Sequence, residues 1–449
     1  MQTSSPRRLP GRYLVVIKEG LEDESALRAR DQAVSRVHGR IFQKFSKFFK
    51  GFAADMTSDE IDLLSADPRV SRVIADEKLD LYDVDLNAGW GLGRIDQRNG
   101  PSDNQFTYSL VGQSNVNIYI IDTGIKGTHP DFTGRLYTGW TFDPGSPALD
   151  DCVGHGTSTA SAAAGSEYGV AKGAKIWSVR VTGCDRQPSR SDVIAGLEWV
   201  ASYHIKPAVA NISFGMSAFL DGVLPGSVHD AAQKLRNAGV FVTVAAGNEA
   251  TDACNSSPAN VVELMTVGAT DANDARTYFS NFGECVDIYA PGDGAPQASY
   301  QGGYNYPSGT SISAPMVAGV AALVFAKYPN DTNDEVHFAI RDGATTGLVG
   351  NIGDLFLYSK LPAPVQVAIN GPHSVPSGAI CTWSSSIKAG RRPFTISWSG
   401  VLDGSTVSIT GSPAASGNLF LSVTDALGNT AVADWGVYVD PTSSAFICP

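Results

Sequence analysis

Four residues of this 449-residue chain have the types and the setting for acyl transfer. Asp122 ends the apolar run Val116–Ile121 in IYIIDTGI, where a carboxylate is shielded from water and can orient a base. His155 lies in DCVGHGTSTA, flanked by glycines that allow close backbone approach, at the mouth of a helix of small residues. Ser311 lies in SGTSISAPMVAGVAALV at a helix start, where the positive helix end favours developing negative charge. Pro315 is expected in the first turn of that helix, the place a helix tolerates it. Asn248 follows the apolar run Val240–Ala246 through Gly247, and its amide can donate to an oxyanion. Singly, each has a plainer reading as an N-cap, a turn residue or a structural histidine. Jointly they sit at strand-to-helix junctions and supply nucleophile, base, orienter and oxyanion donor.

The elements that must position them alternate from about Trp90 to Leu361. Apolar runs at Val116–Ile121, Lys175–Val181, Ala208–Ser213, Val240–Ala246, Met265–Ala269 and Val286–Tyr289 read as strands. Helical runs lie at Ser158–Ala164, Ser191–Tyr203, Ser227–Ala238 and Ser311–Lys327. Strands apolar throughout, alternating with helices, predict an α/β fold with a parallel sheet covered on both faces. Sites in such sheets lie at the carboxyl ends of the strands. Upstream, residues 11–82 read β-α-β-β-α-β, a small α+β (ferredoxin-like) unit, with a capping box at Thr57 and Glu60. Asp83–Gly89 is left unassigned. Downstream of the stiff linker Leu361–Pro364, residues 366–449 are rich in Ser, Gly and Thr and read as an all-β sandwich of short strands. Within it Trp383 is expected in the core, on a Cys381–Cys448 bridge, while His373, Arg391 and Arg392 are expected at the surface.

Charge and cysteine usage exclude several classes. Residues 1–84 carry 14 basic and 14 acidic residues, so the net charge of −12 falls on the remainder. An acidic body without a basic block argues against nucleic acid or an anionic membrane as partner. No apolar run reaches the ~18–20 residues of a membrane span. Six cysteines fall into three sequential pairs, Cys152 with Cys184, Cys254 with Cys285 and Cys381 with Cys448. None has zinc-ligand spacing, so disulfides in an oxidising compartment are favoured over a metal site. Residues 1–10 hold no apolar signal core, so a secretion signal is expected to have been removed or to precede them.

DTGI at Asp122, GHGT at His155, AAGN at Asn248 and GTSISAP at Ser311 resemble the subtilisin-like serine proteases, as does the chain order Asp, His, Ser. Within them the chain is most similar to the proteinase K branch, closest to the aqualysin type. WGLGRIDQR at Trp90–Arg98 resembles the start of that mature enzyme. The spacings within the first two cysteine pairs are similar to the spans of its two disulfides. The resemblance implies a triad of Asp122, His155 and Ser311, and an oxyanion hole of Asn248 and the Ser311 N–H. Losing the Asn248 donor would raise the barrier by ~2.7–4 kcal/mol, a range that comes from subtilisin itself. Asn211–Gly215 (NISFG) would be the edge strand that pairs with substrate, including Ser213, Phe214 and Gly215. Ala245, Ala246 and Gly247 would wall the S1 pocket.

The same resemblance implies structural calcium, held by Asp287 with the carbonyls of Val262 and Leu264, and at a second site by Asp96 and Gln97. At that second site the family's further Asp is Gly93 here. Residues 1–82 resemble the family's inhibitory propeptide, a folding aid for the protease. Residues 83–362 would be the catalytic domain and 366–449 an immunoglobulin- or PKD-like accessory domain. The chain would cut itself between Tyr82 and Asp83, after Leu79-Asp80-Leu81-Tyr82, which matches an apolar or aromatic P1 preference. A secreted monomer acting on proteins and peptides, with its own propeptide as inhibitor, follows. Four further residues depart from the family: Ser158, Met316, Phe214 and Met216. The last pair bears on pocket shape.

Overall fold

A computed structural model describes residues 8–18, 23–47, 49–77, 83–184, 188–222, 225–347 and 354–360. In the C-terminal segment it describes 366–370, 374–376, 380–388, 395–400, 408–411, 417–424 and 430–440. The chain falls into two compact units, Met1–Leu81 and Tyr82–Pro449.

The first unit has the predicted element order. Strands Arg8–Ile17, Ile41–Phe45, Gly51–Asp55 and Val70–Glu77 form one antiparallel sheet, with Arg8–Ile17 between Gly51–Asp55 and Val70–Glu77. Helix Asp23–Val34 buries Ala26, Ala29 and Ala33 in a core with Val15, Phe52 and Leu64. Helix Ser58–Ser65 starts from the expected capping box. Glu60 serves two turns there, since its carboxylate accepts the N–H of Thr57 at 2.8 Å and of His38 at 2.7 Å. The Thr57 and His38 backbone N–H groups hold its carboxyl down at about 2. The His38 ring, 3.0 Å away, also faces it. A depressed acid stabilises the fold above its unfolded value, and that stability goes as pH falls through the folded value. Acidifying from about 4.5 to about 2 is therefore expected to loosen this unit. Hydrogen exchange of its peptides, in wild type and in Glu60→Gln, checks this: the variant loses the pH step.

In the second unit a sheet of nine strands runs, from one edge, through Thr345–Thr346, Leu355–Phe356, Ile288–Pro291, Met265–Thr270, Phe241–Ala245, Ala208–Ile212, Asn117–Asp122, Lys175–Arg180 and Leu136–Thr141. All pairings are parallel except that of Thr345–Thr346 with Leu355–Phe356. Strand Asn117–Asp122 shows how one run serves two cores. Ile118 and Ile120 enter the core with helices His155–Ala164 and Thr310–Lys327. Tyr119 and Ile121 enter the opposite core, with Arg190–Tyr203 and Val228–Asn237. Side chains alternate along a strand, so Asp122 falls on the side of Ile118 and Ile120. That is the side of the helices that start at His155 and just before Ser311.

Helix Thr310–Lys327 is long and apolar enough to cross a membrane, yet 83% of it is buried inside the fold. It is the central core helix. Pro315 lies in its second turn, not its first. The carbonyl this leaves free is Ser311's, and the Ser213 hydroxyl donates to it at 3.0 Å.

Asp83–Asp85, unassigned from sequence, pairs antiparallel with Phe106–Tyr108. Strand Leu136–Thr141 and helix Asn333–Gly343 were also not foreseen. The described strands of the C-terminal segment form two sheets. One holds Gln366–Asn370, Cys381–Lys388 and Ser408–Gly411; the other holds Ser374–Pro376, Thr430–Asp440, Gly417–Thr424 and Thr395–Gly400. Trp383 and Trp398 are fully buried, as expected for Trp383. Cys381 is buried and disulfide-bonded; Cys448, with His373, Arg391 and Arg392, lies outside the described residues.

Candidate active site

The carboxylate of Asp122, 2% exposed, ends strand Asn117–Asp122 at its carboxyl edge. Its Oδ1 accepts the Thr123 N–H at 2.7 Å, and its Oδ2 accepts the Thr159 hydroxyl at 3.3 Å. His155 Nδ1 stands 2.8 Å from Oδ1 and 3.0 Å from Oδ2. An ionised carboxylate only accepts, so Nδ1 carries the proton and Nε2 is left to take one.

Glycines let these parts meet. Gly154 caps the His155 helix with φ +90, and a Cβ there would strike the Tyr300 ring at 2.4 Å. At Gly156 a Cβ would lie 2.1 Å from the Gly124 carbonyl and 3.1 Å from Asp122 Cβ. The helix start could not approach the strand end with any larger residue.

Ser311 is nearly buried in the first turn of its helix, where the free N–H groups point outward. Asn248 reaches it from the loop after Phe241–Ala245. The Asn248 Oδ1 accepts the Thr310 N–H at 2.9 Å and the Thr310 hydroxyl at 3.1 Å. A backbone N–H demands the oxygen, so the amide nitrogen is turned the other way. A Cβ placed on Gly309 would lie 2.8 Å from Ser311 Oγ and 3.7 Å from Asn248 Nδ2. Hydroxyl and amide thus border one small space, which glycine keeps open.

A base, its orienter, a hydroxyl at a helix start and an amide donor are the parts of an acyl-transfer site, and the chain's relatives have that chemistry. The model of the Subtilase family matches residues 113–358. The chain belongs to the subtilase family. It is a serine proteinase, a peptide hydrolase. The Peptidase inhibitor I9 family matches residues 12–82. An extracellular serine proteinase of Thermus sp. (strain Rt41A) is 40% identical over 380 residues, covering 79% of this chain and 91% of that protein. Proteinase R of Parengyodontium album is 36% identical over 314 residues, covering 70% and 79%. The crystal structure of a cold adapted subtilisin-like serine proteinase is similar at a TM-score of 0.57 and 40% identity, over 61% of this chain and 98% of that one.

Two disulfides of this subtilase tie the loops that carry site residues. Cys152–Cys184 and Cys254–Cys285 have Cα separations of 5.4 and 5.3 Å. The substrate-binding expectation needs one correction. Asn211 and Ile212 belong to Ala208–Ile212, a strand inside the sheet, so they do not form an edge strand; Ser213, Phe214 and Gly215 lie beyond it. Phe214 and Met216 pack on the core beside the Arg190–Tyr203 helix. Ala245 and Ala246 are buried, and the Ala246 carbonyl accepts the Asn281 amide at 2.9 Å. Met316 is buried, and the Ser158 hydroxyl donates to the Ala298 carbonyl at 3.1 Å. Tyr82, on one side of the expected cut, lies outside the described residues.

The carboxylates expected to hold calcium already have cationic partners within the chain. Asp287 Oδ1 accepts from Arg341 Nη1 at 2.9 Å, and its Oδ2 accepts the Thr266 N–H at 2.9 Å. Asp96 Oδ2 accepts the Thr107 N–H at 2.9 Å and lies 3.2 Å from Lys360 Nζ. A Cβ at Gly93 would lie 2.6 Å from Ser102 Oγ and 2.8 Å from the Asn104 backbone, so no carboxylate fits there. Among the described residues no three His, Cys, Asp or Glu side chains gather as a metal site. The residues as arranged do not fit a divalent cation at either place.

Sequence reasoning missed Asp151. Its Oδ1 accepts the Thr123 hydroxyl at 2.9 Å and the N–H groups of Val153 and Gly154 at 3.0 and 2.8 Å. Its Oδ2 accepts the Thr157 N–H at 2.9 Å and hydroxyl at 2.6 Å. This buried carboxylate joins the residue after Asp122 to the turn that presents His155. The local half of this pattern, an Asp folding back on N–H groups just downstream, is a signal sequence can carry. The Thr123 contact is not. In Asp151→Asn an NH2 would face N–H donors on one side, moving His155. We expect kcat to fall about 10²-fold, the cost of a small misplacement of a catalytic group. Steady-state kinetics check it, with kcat falling more than KM changes.

Proposed function

We propose that this subtilase is a secreted serine endopeptidase made as a zymogen. Ser311 Oγ attacks the scissile carbonyl as His155 Nε2 takes its proton. Asp122 holds the imidazole and stabilises its charged form. The Asn248 amide and the Ser311 N–H receive the oxyanion. His155 then protonates the leaving amine, and water, activated by the same nitrogen, hydrolyses the acyl-enzyme. Residues 1–82 act as inhibitor and folding aid, 83–362 as the catalytic domain and 366–449 as an accessory β module. The chain cuts itself between Tyr82 and Asp83 and works as a monomer on proteins and peptides with an apolar or aromatic P1. The Thermus relative is an extracellular serine proteinase, which supports secretion.

The observation that carries this reading is the pair of short contacts from His155 Nδ1 to the buried Asp122 carboxylate. A fluorophosphonate probe with peptide mapping tests it. The expected result is a single label on Ser311, with peptide cleavage after large apolar residues. A chain that stays unlabelled and cuts no peptide overturns it, and leaves a silent binding protein that keeps the fold.

A further inference from the structure

We propose that Arg341 and Lys360 take the place of structural calcium in this chain, so that two internal cations tie down the segments a divalent ion would otherwise hold. The inference rests on the two carboxylates that the family resemblance marks as calcium ligands, Asp287 and Asp96, and on what the structure sets against each.

Asp287 precedes strand Ile288–Pro291 and is bonded to the neighbouring strand at both ends. Its N–H donates to the Thr266 carbonyl at 2.9 Å, and its carboxylate takes the Thr266 N–H. With a side chain only 14% exposed, the carboxylate needs a cation beside it to stay ionised. Arg341 supplies the cation at 2.9 Å from Oδ1. It comes from the last turn of helix Asn333–Gly343, where a positive side chain is also favoured by the helix dipole. His337, one turn earlier, puts Nε2 3.7 Å from the same oxygen. A divalent ion on Oδ1 would stand against that guanidinium, and like charges on one oxygen repel.

Asp96 repeats the arrangement with different residues. It caps helix Gly89–Ile95, is 5% exposed, and holds the Thr107 N–H and the Lys360 ammonium on one oxygen. The filled space at Gly93 removes the further ligand the resemblance would require. Two independent places thus show the same exchange of a bound ion for a tethered one. A tethered cation adds no binding equilibrium, so these contacts persist when free calcium is removed. They weaken with salt instead.

The test is thermal melting of the full chain carrying Ser311→Ala, which keeps the protein intact and makes the readout independent of catalysis. Parent, Arg341→Gln, Asp287→Asn, and the Arg341→Gln/Asp287→Asn pair are melted with chelator and with excess calcium. The Arg341 side chain is 43% exposed, so its replacement opens no cavity. The expected result is a parent Tm that is the same in chelator and calcium. Arg341→Gln in chelator should melt about 2–4 °C lower. Calcium should restore it, and adding Asp287→Asn should abolish that rescue. Lys360→Gln is read the same way against Asp96→Asn. A parent that loses Tm in chelator, with the loss removed by Asp287→Asn or Asp96→Asn, overturns the proposal. So does an Arg341→Gln that calcium does not stabilise, because the guanidinium is then an ordinary ion pair.

Discussion

Ser311→Ala is expected to leave the chain at full length, with Tyr82 and Asp83 still joined, and to lower kcat about 10⁶-fold. That magnitude was measured on subtilisin, the family's namesake. In the proposed mechanism the alanine removes the oxygen that forms the acyl-enzyme, so the covalent route is lost outright. What remains is the residual catalysis of a site that still binds and still offers oxyanion donors. The fold should survive. Ser311 sits in a helix whose core contacts come from Ile312, Met316, Val317 and Val320, and its carbonyl, which Ser213 holds, is unchanged. Intact mass and N-terminal sequencing after incubation, beside wild type, measure the first effect. Peptide hydrolysis under added, separately processed enzyme as standard measures the second. Processing of the alanine variant by itself at Tyr82–Asp83 would remove Ser311 from the mechanism.

Asp122→Asn is expected to cost about 10⁴ in kcat, the loss seen when a triad Asp becomes Asn in a serine protease of another fold. The reason is a choice of tautomer. The Thr123 N–H demands an acceptor at Oδ1, which is 2.7 Å away. In the amide the oxygen therefore stays there, and the NH2 takes the Oδ2 position, 3.0 Å from His155 Nδ1. An N–H aimed at Nδ1 favours the ring form with its proton on Nε2, against the retained oxygen 2.8 Å from Nδ1, and the fraction of rings in that form cannot accept the Ser311 proton. Volume and shape barely change, so melting should move far less than rate. A variant that keeps more than a tenth of wild-type kcat would show that Asp122 does not set the tautomer. The labelling rate with a fluorophosphonate should fall in parallel, since that reaction needs the same proton transfer.

Much of this site was legible because local pattern marks it. The run Val116–Ile121 is apolar throughout, and a strand buried on both faces must be. Its end at Asp122, the glycines around His155 and the helix start at Ser311 are all features of a few consecutive residues. The capping box at Thr57 and Glu60 was read correctly for the same reason, since both halves lie within one helical turn. Strand Leu136–Thr141 was missed because its residues are half-buried or exposed and include a glycine, so it has no apolar run to detect. Pro315 was placed a turn too early because its tolerance depends on Ser213, a residue just past another strand that satisfies the freed carbonyl.

By itself the sequence determined most of the succession of strands and helices, and that Asp122, His155 and Ser311 lie at the end or start of one of them while Asn248 follows one. The spacing of apolar residues and the placing of glycines act between neighbours in the chain, and that is information a sequence displays. The tertiary structure decided which of these ends meet. It turned the Asn248 amide by giving its oxygen to Thr310, 62 residues away. It made Asp151 the tie between Asp122's neighbour and the His155 turn, and set Arg341, 54 residues distant, on Asp287. Such pairings follow from sheet order and register, which bring remote residues within hydrogen-bond reach and leave no local trace in either segment.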